Sequence, residues 1–356
     1  VVDAIVPGAV RDDARMRILS RAELNRALLA RQLLLDRASL PLPRALERIG
    51  GIQAQYAPSM YVGMWSRLAR LERDALTDAL ARKSIVQATL MRSTIHLVSR
   101  RDFWPLAQAT REARRASWLR SVPEPGAESM ADAAHTLRAH LNGGTIKRTD
   151  MDALLGKDRA RAVGLWIDLV RVPPSGTWER RRADLYAAAE DWLGPAESGE
   201  AEGIELLVRR YLGGFGPAAA KDVASFTGLA PPALAPVLDR VATRRCRSED
   251  GDELFDLPRA PLPDPETPAP VRFLPTWDAT LLVHARRTGV LPEEHRSKIF
   301  SSRNPHSSPT FLVDGAVAGT WRYDEGGIRL DPFARLDAAA TRALREEADR
   351  LAAFHA

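Results

Sequence analysis

The chain has 356 residues, 45% hydrophobic and 27% charged, as suits a soluble globular protein of two or three units with a sizeable core. The formal charge is +5 and Cys246 is the only cysteine, so an internal disulfide and a thiolate metal site are excluded and a reducing cytoplasm is the expected compartment. No stretch reads as a leader and no apolar run reaches about 18 residues, so neither secretion nor a membrane span is predicted.

Residues 1–16 are mixed and read as frayed. A helix opens in "LSRAELNRALLARQLLL", where Ser20 is an N-cap and Glu23 stands at the capping-box spacing. "PLPRALERIGGIQAQ" reads as a second helix with a glycine pair inside it, "SMYVGMWSRLARL" as a third and "ERDALTDALARKS" as a fourth. Tyr56, Met60 and Trp65 recur at roughly helical spacing and are expected in the core. "IVQATLMRSTIHLVS" is rich in β-branched residues and breaks at Arg92-Ser93, which predicts a β-hairpin. "RRDFWPLAQATREARRASWLR" returns to helix. Helices followed by a hairpin make a winged helix.

The same order recurs twice. "ADAAHTLRAHLNGGTIKRTDMDALLGKDRARAVGLWIDLV" reads as three helices and "RVPPSGTWERRRADLY" as their hairpin. "EGIELLVRRYLGGFG", "PAAAKDVASFTGL" and "PPALAPVLDRVA" are helices again, with "LGGFG" as a C-cap, and "TRRCRSEDGDELFDL" holds a tight turn. The repeat is one of element order, without a residue-level match. The fold class is therefore mainly α with β wings (α+β). Three tandem winged helices are expected at 17–125, 126–198 and 199–260. The proline-rich linker "PRAPLPDPETPAPV" leads into a small α+β unit within 261–356, with strands expected in "RFLPTWDATLLVHARR" and "PTFLVDGAVAGTWRYDEGGIRLDPF" and a closing helix.

Seven scattered histidines with no paired spacing argue against a metal, and neither a phosphate-cradling glycine loop nor a dinucleotide fingerprint is present, so no cofactor is predicted. Arginine supplies nearly all of the positive charge. Its planar fork suits phosphate, but a GC-rich genome produces the same bias, so only local clusters inform. Arg111, Arg114 and Arg115 follow the first wing. Arg180, Arg181 and Arg182 lie in the second, and Arg244 and Arg245 begin the third. Wings with consecutive arginines are placed to meet DNA phosphates, or else form a solvated edge that blocks strand pairing. Arg296 and Lys298 in "HRSKIF" offer a further DNA contact or a plain exposed loop.

Gln53 and Gln55 flank an alanine inside an apolar run, and buried amides are costly unless every donor and acceptor is met. Either the pair is satisfied by nearby backbone at a helix end, or it does chemistry. In a helix, residues two apart project about 200° from each other, so cooperation would require the chain to bend at Gly50-Gly51 or the helix to end there.

"GGIQAQYAPSMYVGMWSRL", "LMRSTIHLVSRRDFW", "YLGGFGPAAAKDVASFTGL", "FLPTWDATLLVHARR" and "FLVDGAVAGTW" together resemble the winged-helix DNA glycosylases of the AlkZ and YcaQ family, from about residue 18 to the last helix. Glutamine at both ends of Gln53-Ala54-Gln55 is similar to the AlkZ branch; the other branch has aspartate at the second place. The resemblance implies a monomeric C-shaped clamp of three winged helices on double-stranded DNA. It implies removal of bulky N7-alkylguanines, and in some members unhooking of interstrand cross-links made by azinomycin-type natural products, as self-resistance. Gln53 and Gln55 would be catalytic. His96, Trp277 and Asp278 would support the site, or else be a bonded core histidine, a core tryptophan and a cap. Two readings compete: a winged-helix transcriptional regulator, and a protein that shields damaged DNA without cleaving it.

Overall fold

The computed structural model describes residues 16–122, 124–282, 289–300 and 307–356. The expected frayed stretch 1–16 thus lies almost wholly outside the described residues, as do 283–288 of an expected strand. In the first part the order is β1 (Arg17–Leu19), α1 (Arg21–Arg31), α2 (Leu42–Ile49), β2 (Ile52–Gln53), α3 (Ala57–Arg67), α4 (Arg73–Ala81), β3 (Ile85–Thr89), β4 (Ile95–Ser99) and α5 (Arg100–Ser121). Next come α6 (Ala127–Leu141), β5 (Ile146–Lys147), α7 (Arg148–Leu155), α8 (Lys157–Ala162), β6 (Leu169–Arg171), β7 (Leu185–Ala188) and α9 (Ala189–Leu193). Then follow α10 (Glu200–Phe215), α11 (Ala220–Thr227), α12 (Pro231–Val241), β8 (Arg244–Ser248) and β9 (Glu253–Asp256). The C-terminal part holds β10 (Arg272–Leu274), α13 (Ala279–Leu282), α14 (Arg296–Ile299), β11 (Thr310–Val313), β12 (Ala316–Asp324), β13 (Gly327–Pro332) and α15 (Ala338–His355).

Local signals explain many of these limits. The Ser20 hydroxyl accepts from the Glu23 N–H, and the Glu23 carboxylate returns a bond to the Ser20 N–H, closing a capping box on α1. Ser99 and Asp337 cap α5 and α15 by accepting from the Asp102 and Ala340 N–H groups. Two expectations change. Gly213 and Gly214 lie inside α10, with Gly216 as the C-cap. A Cβ on Gly214 would stand 2.7 Å from the Ile49 carbonyl oxygen, so this glycine lets α10 close on the end of α2. The strand expected over 272–287 stops at Leu274. Asp278 then accepts from the Thr280 N–H and starts α13.

The strands of the described residues form three sheets. The first two hairpins are joined: the order β2-β4-β3-β6-β7-β5 makes one six-stranded sheet across the boundary expected at 125/126. In the second sheet β1 lies parallel to β8, beside β9, so the N-terminal strand completes the third wing. The third sheet is β10-β11-β12-β13. Cross-strand register sorts the six-stranded sheet by face. Val86, Ala88, Val98 and Val170 pack against Phe103 and Leu106 of α5, Leu212 and Phe215 of α10, and Phe226 of α11. Ile52, Ile85 and Leu97 face the other way, onto Met60 and Met64 of α3, Phe273 and Phe311 of the C-terminal sheet, and Leu351 of α15. Among the described residues no helix is long and apolar enough to cross a membrane.

Candidate active site

The expected helix through the glutamine pair ends before it. Helix α2 stops at Ile49. Gly50 follows at φ 79° and Gly51 at φ 80°, and the Gly51 N–H bonds back to the Leu46 carbonyl at 2.9 Å. This left-handed terminus favours glycine, and it turns the chain into β2, which pairs with β4 through Ile52 opposite Leu97 and Gln53 opposite His96. In extended chain, residues two apart share a face. Ile52 and Ala54 enter the core, while Gln53 and Gln55 point together the other way. The Gln-apolar-Gln pattern is thus strand alternation, and the bend that cooperation required is present. Gln53 is 6% exposed, Gln55 lies in an exposed bend before α3, and the Gln53 Nε2 donates to the Gln55 Oε1. Tyr56, expected in the core, is 40% exposed at the start of α3, whereas Met60 and Trp65 are buried.

Other groups hold the motif in place. Gln87 of β3 is buried and donates to the Ala54 carbonyl at 3.1 Å. Gln32 donates to the Ile49 and Gly214 carbonyls at 3.1 and 2.8 Å, tying the end of α2 to α10. Arg67 donates to the Gln32 Oε1 at 3.2 Å and to both oxygens of Asp278 at 2.9 Å. Burial opposes ionisation of Asp278, but the Arg67 charge and hydrogen bonds outweigh it and hold its pKa below the ordinary carboxylate value. Asp278 therefore acts as cap and buried counter-ion. Trp277 stands beside it in a left-handed turn at φ 58°, half-buried, its N–H bonded to the Ser307 hydroxyl at 2.6 Å.

His96 shares the sheet face of Gln53. It is 2% exposed, and its Nδ1 lies 3.1 Å from the Thr94 carbonyl. A carbonyl only accepts, so Nδ1 carries the proton and Nε2 keeps its lone pair. Burial first, and then the charge of Arg92, push its pKa down to about 3, against the Thr94 bond. The ring is a neutral acceptor at any physiological pH.

Arg92 is not among the expected site residues. It forms the tip of the β3–β4 hairpin with Ser93, at φ 53° and 56°, and two left-handed non-glycine residues cost about 1–2 kcal/mol each. Its guanidinium donates to the Phe226 carbonyl at 3.2 Å and to the Gln53 Oε1 at 3.4 Å, and lies 4.8 Å from the centre of the Phe226 ring. An arginine has no acceptor, so this contact sets the sense of both amides: the Gln53 oxygen turns to Arg92 and its NH₂ to Gln55. The Met-Arg-Ser tip shows in the sequence only as a turn, because Phe226 and Gln53 reach it through the fold.

The expected DNA-binding arginines divide. Arg114 is 5% exposed and donates to the Thr89 carbonyl, so it is withdrawn from that role. Arg111 bonds Asp168, and Arg115 donates to the Leu165 carbonyl at 2.7 Å; these two clamp α5 to the second unit, while the Arg114 bond ties α5 to β3. Arg244 is engaged by Asp256, which also takes the buried Arg31. Arg245 is neutralised by Asp239 and Glu253 and stacked on Phe255. Acids and carbonyls engage donors of all five of these arginines. Arg180, Arg181 and Arg182 remain exposed in the loop between β6 and β7. Arg181 reaches the Tyr56 hydroxyl at 3.2 Å, bringing that loop beside the glutamine motif. Lys298 is exposed and Arg296 half-buried on α14, beside the Phe333 and Phe300 rings. Next to Tyr56 a cavity of about 250 Å³ opens, lined by Trp178, Arg181, Trp321, Tyr323 and His355 among others. Among the described residues no cluster of three or more His, Cys, Asp or Glu is placed to hold a metal.

An amide pair held at a sheet edge, with basic loops nearby, fits an enzyme of the DNA glycosylase class, and comparison with known proteins identifies that class. Residues 46–354, a span that includes both glutamines and all but the last residue of α15, match the family described as DNA glycosylase AlkZ-like, and the chain belongs to that family. The solved structure of the Streptomyces sahachiroi DNA glycosylase AlkZ superposes with a TM-score of 0.78, at 19% identity, over 95% of this chain and 97% of that one. At this identity the likeness is one of fold. No curated protein sequence matches the chain.

Proposed function

We propose that the protein is a monofunctional glycosylase that hydrolyses the N-glycosidic bond of N7-alkylguanines in duplex DNA, with Gln53 and Gln55 as the catalytic residues. The observation that carries this reading is the side-by-side placement of the two amides on one face, oriented by Arg92 and partly open to solvent. An N7-alkylguanine is cationic, so its departure with the bonding electron pair neutralises it. The deoxyribose is left with oxocarbenium character. Such a leaving group needs no strong acid. It needs a water held in line with the anomeric carbon and dipoles that tolerate the sugar's positive charge. The Gln55 oxygen keeps a lone pair beyond the one that meets Gln53, and His96 contributes a neutral acceptor. Water adds to the anomeric carbon and releases its proton to solvent, leaving an abasic site.

The reading extends to bulky adducts and interstrand cross-links, including those of azinomycin-type compounds, as self-resistance. Two features support it: Gln55 is exposed rather than buried, and the cavity beside Tyr56 leaves room for a substituent. A cross-linked base cannot swing fully out of the duplex, so a site that meets the lesion near the surface suits it. The exposed Arg180, Arg181 and Arg182, with Arg296 and Lys298, are the proposed phosphate contacts of a monomer. The test is single-turnover incubation with duplex carrying N7-methylguanine, a bulky N7 adduct or a cross-link, scored for abasic sites. Absence of abasic sites on all three substrates removes the reading.

A further inference from the structure

The buried Arg31 and Arg67 and the half-buried Arg210 each meet a carboxylate, from Asp256, Asp278 and Asp102. The buried Arg272 and the half-buried Arg171 are met instead by carbonyls, a hydroxyl and a ring. Arg92 is of this second kind, and it also touches the glutamine pair. Its partners are a backbone carbonyl, an aromatic ring and a neutral amide, and among the described residues no carboxylate stands within ion-pair distance of it. A full positive charge is therefore held half-buried, at the tip of a strained turn, in contact with a proposed catalytic residue.

That charge is in the wrong place for the reaction unless something cancels it. Both the N7-alkylguanine and the sugar are positive as the bond breaks, and an unscreened guanidinium beside Gln53 repels them. The protein offers no anion there among its described residues. DNA does, because each nucleotide carries one phosphate, and the guanidinium fork presents parallel donors to phosphate oxygens. Two of its five donors are used by Phe226 and Gln53, which leaves others for an incoming anion.

We propose that Arg92 binds a phosphodiester group beside the lesion, and that this contact neutralises the guanidinium while its bond to the Gln53 Oε1 keeps the amide pair in its working sense. Arg92 is then a positioning residue that registers the DNA backbone and the water-holding amides in one step. The substitution Arg92→Lys keeps a charge for the phosphate but loses the fork, so one ammonium cannot serve both partners with the same geometry.

This inference rests on the glycosylase reading, and its test separates the two. Duplexes carrying one N7-methylguanine are made with a neutral methylphosphonate replacing each flanking phosphate in turn. Binding and single-turnover excision are measured for the wild type, Arg92→Met and Arg92→Lys, with thermal unfolding followed for each. The wild type should lose about tenfold or more in affinity at one phosphate position, and Arg92→Met should lose nothing further there. Arg92→Met should also lower the salt dependence of binding by about one unit of log–log slope. Arg92→Lys should keep the slope while excision falls about tenfold. Equal losses in wild type and Arg92→Met at every position, or a wild type indifferent to every flanking methylphosphonate, would overturn the assignment. A wild type that binds but never excises would defeat the glycosylase reading instead, and the affinity data would still decide the phosphate contact.

Discussion

The bond between the two glutamines makes their contributions interdependent. Gln55 is exposed, and its position depends on the donor from Gln53. In Gln53→Ala that donor is gone and the Gln55 side chain regains its rotamers. For a long amide this freedom is worth up to about 2 kcal/mol, which is roughly 30-fold in the population of the productive rotamer. Gln55→Ala removes the acceptor itself, and deletion of one oriented catalytic dipole costs about 100- to 1,000-fold. If Gln53 works chiefly through Gln55, then once Gln55 is gone the loss of Gln53 should add only a few-fold. The double mutant should therefore excise N7-methylguanine at close to the rate of Gln55→Ala. If the two act independently, the losses multiply, to about 3,000-fold or more. Single-turnover excision by the wild type, both single mutants and the double mutant, at saturating protein, gives the coupling directly. Multiplicative losses would refute the view of the pair as one unit, and a double mutant near wild-type rate would remove both residues from the mechanism.

Three other outcomes follow from the geometry. The folded-state pKa of His96 is about 3, below the unfolded value of roughly 6.5. The unfolded chain thus binds the extra proton between those values, and stability is full above about pH 6.5 and lost as pH falls toward 3, with up to about 1.4 kcal/mol per pH unit from this residue; urea midpoints across that range should show a slope that shrinks in His96→Gln. Asp278→Ala leaves Arg67 buried without its counter-ion, so it should destabilise the fold by about 3–5 kcal/mol while excision per folded molecule at low temperature stays near wild type; a stable but inactive variant would return Asp278 to the site. Replacing Arg180, Arg181 and Arg182 by alanine should weaken binding to all duplexes alike and reduce the salt slope by about one unit for each phosphate they neutralise, whereas an unchanged slope would make them a solvated edge.

What can be read from sequence is what short-range chemistry decides. The Ser20 capping box, the first hairpin and the tight turn before β9 are local, and each stands where its residues suggest. The glutamine stretch reads as helix and is not, although its signals are present: two adjacent glycines, followed by an alternation of period two in Ile-Gln-Ala-Gln. The charges are illegible for a different reason. Whether an arginine meets DNA depends on whether an acid reaches it first, and Asp278 reaches Arg67 across 211 residues of sequence while Asp256 reaches Arg31 across 225. The same non-locality conceals Arg92, whose partner Phe226 is 134 residues away.

The parallel pairing of β1 with β8 has a consequence for biosynthesis. Strand β1 leaves the ribosome well before its partner: the neighbouring contact from Arg21 to Glu249 spans 228 residues. At about 5–20 residues per second, the nascent strand waits on the order of 10 to 45 s with its pairing edge open. Ile18 is 63% exposed even in the finished fold, so the waiting segment carries an apolar side chain as well. The third wing therefore closes only once β8 has emerged, and β1 stays unpaired until then.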